Sequence, residues 1–188
     1  MGGTTEVEIK FRIADLRSLT RKLRALGFRL QTRRTFESNT LYDFPGALLR
    51  GRGELLRLRR YGKTWTVTHK GPRQKGRHKS RLETETQVQS GDKLAGVLQS
   101  LGLSPTFRYE KYRSEWSRGS GHVVLDETPI GNFGEIEGPP RWIDRTAKAL
   151  GITSENYITS SYAELFFQWK DRSASAAREM TFRACKTG

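Results

Sequence analysis

Charged and apolar residues alternate without a break over Glu6-Val7-Glu8-Ile9-Lys10-Phe11-Arg12-Ile13. At the two-residue period of a β-strand, all four charges then lie on one face. The device recurs along the chain. Arg57 and Arg59 alternate with Leu56 and Leu58, while Arg81, Glu83 and Glu85 alternate with Leu82, Thr84 and Thr86. Lys111, Arg113 and Glu115 alternate with Tyr112, Ser114 and Trp116, and Glu135 and Glu137 flank Ile136. In a sheet with one wet face such charges simply meet water, and mixed ladders of this kind support cross-strand pairing. Any single strand fits that reading about as well as the alternative. Repetition favours the alternative, a barrel with a charged interior and an apolar exterior covered by helices.

The candidate interior sets Lys10, Arg12, Arg57, Arg59, Lys70, Arg81, Lys111 and Arg113 against Glu6, Glu8, Glu83, Glu85, Asp126, Glu135 and Glu137. Buried charge is costly unless it is paired or coordinated. Both signs together suit a metal-bound polyphosphate, because cations grip phosphate oxygens while carboxylates hold magnesium or manganese.

Further strand-like runs at about 35–43, 55–61, 63–70, 81–89, 106–117, 122–127 and 134–137 make the middle of the chain mostly β. Asp15 stands as a helix N-cap ahead of Leu16, Leu19, Leu23 and Leu26, and Gly27 supplies a stop. Helical patterns return at 92–101, 142–150 and 160–169. Helices interrupt the strands without alternating with them, so the fold class is α+β: a closed or nearly closed antiparallel barrel of about eight strands with helices packed outside. Residues 1–170 form one domain, and 171–188, lacking an apolar period, are expected as a polar, disordered tail. The single Cys185 excludes a disulfide framework and points to a reducing, cytoplasmic setting. No run reaches the roughly 20 apolar residues of a membrane span, and Met1 to Thr5 do not read as a signal peptide. A net charge of +14 favours an anionic partner.

Glu6-x-Glu8-x-Lys10 resembles the ExExK signature of the CYTH domain, the family of triphosphate tunnel metalloenzymes. The resemblance continues in order through Arg57-Leu58-Arg59, Thr68-His69-Lys70-Gly71-Pro72, Arg81-Leu82-Glu83-Thr84-Glu85, Lys111-Tyr112-Arg113, Leu125-Asp126 and Gly134-Glu135-Ile136-Glu137. It ends at Ser161-Tyr162 and covers about residues 5–169. Stretches 6–16, 101–116 and 122–137 are most similar to the bacterial class IV adenylyl cyclases, although Glu135-Ile136-Glu137 has the general form shared with the family's hydrolases.

The resemblance implies a metal set of Glu6, Glu8, Asp126, Glu135 and Glu137, with Glu83 and Glu85 as further candidates, holding Mg2+ or Mn2+. Glu8, Asp126 and Glu137 come first among these. Lys10, Arg57, Arg59, Lys70, Arg81, Lys111 and Arg113 would hold the triphosphate. It implies ATP converted to cyclic AMP and pyrophosphate, or tripolyphosphate or thiamine triphosphate hydrolysed. A homodimer is compatible with the sequence. A competing reading, a non-catalytic RNA- or polyanion-binding module, would use the run 50–63 and the loop 72–81, with Tyr61 and Trp65 for stacking. It is disfavoured because carboxylates at alternating strand positions would repel phosphates. His69, His78 and His122 have no metal spacing and read as strand or surface residues without chemistry. The loop cations Arg73, Lys75, Arg77 and Lys79 are either a solvated loop or a cover for the tunnel mouth.

Overall fold

A computed structural model describes residues 4–74 and 78–186. Its strands are β1 (Thr4–Arg12), β2 (Arg29–Asp43), β3 (Leu55–Tyr61), β4 (Thr64–Lys70), β5 (Lys79–Val88), β6 (Ser104–Arg118), β7 (Gly121–Thr128) and β8 (Gly131–Glu137). The helices are α1 (Leu16–Ala25), α2 (Leu48–Gly51), α3 (Gly91–Ser100), α4 (Pro140–Leu150) and α5 (Tyr162–Ser173). The strands close into an antiparallel barrel, as the sequence predicts, and their order is β1-β5-β4-β3-β2-β6-β7-β8. Within the barrel and its loops, β2 and a short helix after it differ from expectation. β2 starts earlier, because Arg29–Thr32 continue the ladder to β6 through register shifts. The short α2 is set up by the buried Asp43 carboxylate, which accepts from the backbone N–H groups of Leu49 and Arg50 at 2.9 and 3.0 Å.

The barrel is inverted in the predicted sense. Ile9 and Ile136 are cross-strand partners, 1% and 0% exposed, and they pack under Leu19 and Leu23 of α1 and Ile143 and Ala147 of α4. Phe107 and Phe133 lie beneath Leu165 and Phe166 of α5, and Leu58 meets Leu98 of α3. Each such side chain contributes about 1.5–3 kcal/mol on burial, so the apolar stabilisation comes from the outer wall and the interior is left for charge.

Local signals fix the helices. Asp15 accepts from Ser18 N–H at 3.0 Å, and α1 stops where Gly27 turns left-handed at φ 79°. At the start of α5 the Ser161 hydroxyl accepts from Glu164 N–H, and the Glu164 carboxylate accepts from Ser161 N–H at 2.6 Å, a capping box that sets Ser161 and Tyr162 at the barrel wall.

Two exposed strand edges are covered by segments outside the barrel. β6 reaches past the end of β7, and there Met180 takes the edge: its N–H donates to Arg108 O at 3.0 Å and its carbonyl accepts from Glu110 N–H at 2.9 Å. On β1, Ile158 pairs with Lys10 in the same way. Residues 174–186 thus pack where a disordered tail was expected. Met180 is 0% exposed and the Phe182 ring sits 5.3 Å from Tyr112. The anchoring residues are too few to make a sequence period, but capping an open edge gives the backbone its hydrogen bonds. Lys75, Arg77 and the side chain of Lys79 lie outside the described residues, while Arg73 donates to Glu164 at 2.7 Å and ties its loop to α5.

Gly134 is required for room. A Cβ there would lie 2.1 Å from the ring of Phe11, its buried cross-strand partner. Gly134→Ala is expected to destabilise the protein by about 1–3 kcal/mol, read as a lower urea midpoint with an unchanged slope.

Candidate functional site

The strands project their charged faces into a cavity of about 430 Å³. Of the fourteen residues of the predicted metal and triphosphate sets, thirteen line it. Asp126 does not; it is 0% exposed beneath the lining side chains, where it accepts from Arg113 Nε at 2.7 Å, Lys111 Nζ at 3.0 Å and the Tyr162 hydroxyl at 2.6 Å.

Charge inside the cavity is segregated by strand. Along β1, β5 and β8 the carboxylates dominate. Glu8 and Glu137 are direct cross-strand partners, and Lys70 bridges Glu6 at 2.9 Å and also pairs with Glu83. Loss of solvation, then the charges of Glu6, Glu8 and Glu135, push the Glu137 carboxyl up to about 7. Burial, then a hydrogen bond shared with Glu6, pushes Glu83 up to about 8. Like charges face each other here at a cost that an added cation would relieve.

The opposite wall is cationic. Arg57 and Arg59 of β3 share one carboxylate, Glu85, at 3.5 and 3.0 Å, and also donate to Thr68 and Thr66. Lys111 and Arg113 of β6 stand on Asp126, and Glu135 receives both Arg113 and Lys10. Burial opposes ionisation of Glu135, yet Lys10 and Arg113 hold its carboxyl well below the usual range. Arg81 is used differently: its guanidinium donates to the carbonyls of Gly71 and Gly53 and staples together the two glycine loops that border the cavity.

Several site residues escape the alternation rule. Glu37 of β2 is 0% exposed, 3.4 Å from Lys111 and 3.9 Å from Arg113, with Asn39 donating to it at 2.9 Å. Burial would raise its pKa, but Lys111, Arg113, Arg59 and Arg57 hold it at about 2. Glu37 and Asp43, six residues apart, are the two acids in 35–43 and make no charge alternation, so the sequence gives little warning of Glu37. Tyr162 carries Lys10 and Lys111 over its ring at 4.5 and 4.7 Å. Its start-of-helix cap, Ser161-x-x-Glu164, is the sequence signal that could have placed it. His122, expected to lack chemistry, lines the cavity opposite Glu137 in register.

Comparison with known proteins gives a concordant picture. The CYTH domain profile matches residues 4–162. The adenylate cyclase CyaB of Aeromonas hydrophila is 28% identical over 178 residues, spanning 87% of this chain and 89% of the relative. A Vibrio parahaemolyticus protein of known structure superposes with a TM-score of 0.79 at 22% identity, covering 88% of this chain and 99% of that one. HpAC1 from Hippeastrum, described as having a dominant triphosphatase activity, superposes with a TM-score of 0.64 at 20% identity over 87% of this chain and 95% of its own. Among the described residues no helix is long and apolar enough to cross a membrane.

Proposed function

This chain belongs to the CYTH domain family, whose members are adenylyl cyclases or triphosphatases, and from that membership we propose that it is a divalent-metal-dependent enzyme converting ATP to cyclic AMP and pyrophosphate. The observation that carries this reading is the segregation of charge inside one cavity, with paired carboxylates on β1, β5 and β8 facing a wall of arginine and lysine on β3 and β6.

The residues present fit a magnesium or manganese ion. Their carboxylate oxygens are the hard donors these ions prefer, and the crowding of Glu8 against Glu137 is the kind that a cation relieves. Among the described residues no three acids close into a full ligand cluster. That suits an ion which completes its coordination with water and substrate phosphate. Glu8 and Glu137 would hold it, with Glu6 and Glu83 beside them. When bound, it supplies neutralisation of phosphate charge and alignment of the triphosphate.

The remaining work falls to the cationic wall. Arg57 and Arg59 present planar, bidentate donors to phosphate oxygens, and their shared carboxylate leaves one charge in surplus for substrate. Lys111 and Arg113, held by Asp126, would stabilise the charge that develops on the leaving pyrophosphate as the ribose 3′-hydroxyl gives its proton to solvent, its oxygen bonds to the α-phosphorus and the bond to the bridging oxygen breaks. A second reading, hydrolysis of a terminal phosphate by water, is favoured by the lining itself. Among the described residues its aliphatic side chains are Leu55 and Val124, a sparse surface for a nucleobase. HpAC1's described activity points the same way.

The test is incubation with ATP, tripolyphosphate or thiamine triphosphate, each with magnesium or manganese. Cyclic AMP with pyrophosphate is the expected product pair. Orthophosphate without cyclic AMP would establish the hydrolase, and turnover that survives a chelator would remove the metal from the account.

The carboxylate rim also predicts a pH signature of stability. Glu83 and Glu137 have folded pKa values of about 8 and 7, above their ordinary 4.5. The stability they contribute is therefore fully present below about pH 4.5 and lost as pH rises through 7 to 8. Metal bound only to the folded state compensates by mass action, and only where the carboxylates are ionised. Magnesium is expected to raise the melting temperature clearly at pH 8 and little at pH 5. An equal rise at both pH values would place the ion elsewhere.

A further inference from the structure

The excess positive charge of this chain lies outside its tunnel. The predicted interior cations that line the cavity, Lys10, Arg57, Arg59, Lys70, Arg81, Lys111 and Arg113, number seven, and the predicted carboxylates also number seven. Glu37, buried beside its cross-strand partner Lys111, and Glu115 at the lining tip the balance to acid. A triphosphate site therefore accounts for none of the net +14.

Half of that excess is concentrated in one segment. Residues 16–36 hold six arginines and one lysine and no acidic residue. The segment comprises α1 and the first half of β2. Its leucines Leu19 and Leu23 are buried against the barrel, while Arg17, Arg21, Lys22, Arg24, Arg29 and Arg33 are exposed. α4 packs beside α1 in the same apolar cluster, and Lys22 Nζ reaches the carbonyl of Leu150 at its end. The outer side of α4 adds Arg141, Arg145 and Lys148, all exposed. The acids of these two helices are spoken for: Asp15 caps α1, and Asp144 contacts His78.

We propose that the outer face of α1, α4 and the start of β2 is a docking surface for the phosphate backbone of a double-stranded nucleic acid, bound without sequence preference. Arginine predominates, and its planar fork matches phosphate oxygens bidentately. The apolar residues of both helices are committed to the barrel, and on the β2 part of the face Leu30 and Phe36 are 40% and 39% exposed, two separate side chains that do not make the apolar stripe of an interfacial amphipathic helix. Neither helix exposes an aromatic ring for stacking on unpaired bases: Trp142, the aromatic residue of α4, is half-buried against Gly121, and Phe36 on β2 is 39% exposed but packs edge-on against Tyr112, with ring centroids 5.4 Å apart. What remains is a rigid array of cations about 15 Å long, the length of a ten-residue helix, facing a regularly charged rod. The carboxylates that argue against nucleic acid in the sequence are all in or behind the tunnel wall and do not reach this face.

The test uses the full chain and a fluorescent 20-base-pair duplex, read by anisotropy between 50 and 200 mM salt. Binding is expected, weakening by about tenfold or more across that range. Arg17→Glu, Arg21→Glu and Arg24→Glu together are expected to lower affinity at least thirtyfold at 100 mM salt while leaving turnover of triphosphate and the melting temperature unchanged. Excess tripolyphosphate with magnesium at tunnel-saturating concentration is expected to leave the duplex bound. The proposal is overturned by absence of binding at 50 mM salt, by a triple variant that binds as the parent does, or by displacement at tunnel-saturating tripolyphosphate. Tighter binding to phosphatidylserine vesicles or to single-stranded RNA than to the duplex would equally overturn it. Because the readout is binding, failure of the proposed enzymatic activity would leave this result standing.

Discussion

Asp126→Asn is expected to cost about 3–5 kcal/mol of stability, because it breaks one side of a buried charge cluster without changing its shape. Asp126 is 0% exposed and receives Arg113 through two nitrogens, Lys111 and the Tyr162 hydroxyl. The asparagine would keep one acceptor oxygen and turn a pair of N–H donors toward these donors. Lys111 and Arg113 would then face each other with Glu37 and Glu135 as their remaining anions. In a protein of this size the melting temperature should fall by about 6–20 °C. Turnover should fall as well, since both cations would lose the anchor that holds their heads at the wall. The informative quantity is the order of the two effects. If Asp126→Asn melts like the parent yet loses metal-dependent activity, Asp126 serves the metal and not the cations behind it.

How much of this was legible in the sequence follows from what alternation can and cannot encode. Strict charge alternation at Glu6-x-Glu8-x-Lys10 and Arg57-x-Arg59 fixes which face of a strand is polar, and its repetition on mixed-sign strands makes an outward display implausible. Thirteen of the expected site residues line the cavity, but Arg12, which the same alternation puts on the candidate interior, is exposed at the end of β1 and lies over the Phe133 ring. Alternation is blind to a residue that acts alone. Glu37 and Asn39 are flanked on their face of β2 by the uncharged Thr35 and Leu41, and Tyr109, which also lines the cavity, and Tyr162 look like core aromatics. Alternation also says nothing of depth. Asp126 shares the inward face with its cross-strand partner Arg113, but it is 0% exposed because Lys111, Arg113 and Tyr162 cover it. The tail misled for a different reason. Met180 stabilises by closing the open edge of β6 through backbone hydrogen bonds, which leave no trace in side-chain periodicity.

The second carboxylate change should have the opposite signature. Glu8→Gln is expected to lower metal-dependent turnover by about a hundred to a thousandfold, the usual scale for removing one preorganised charge-stabilising group. Its stability without metal at pH 8 should be unchanged or higher. Glu8 stands directly across the ladder from Glu137, and both are near Glu6; removing one negative charge relieves repulsion in a cluster that already drives the Glu137 carboxyl up to about 7. With Glu8 neutral, that carboxyl should ionise more readily, and the stability that the parent loses between pH 5 and pH 8 should shrink. The rise in melting temperature on adding magnesium at pH 8 should shrink with it, because the pair that would hold the ion is broken. Activity lost while stability is kept, together with a missing magnesium shift, separates a ligand from a structural residue. Full metal-dependent turnover in a folded Glu8→Gln protein would remove the β1 and β8 carboxylates from the mechanism and move the ion to the Glu83 and Glu85 side of the tunnel.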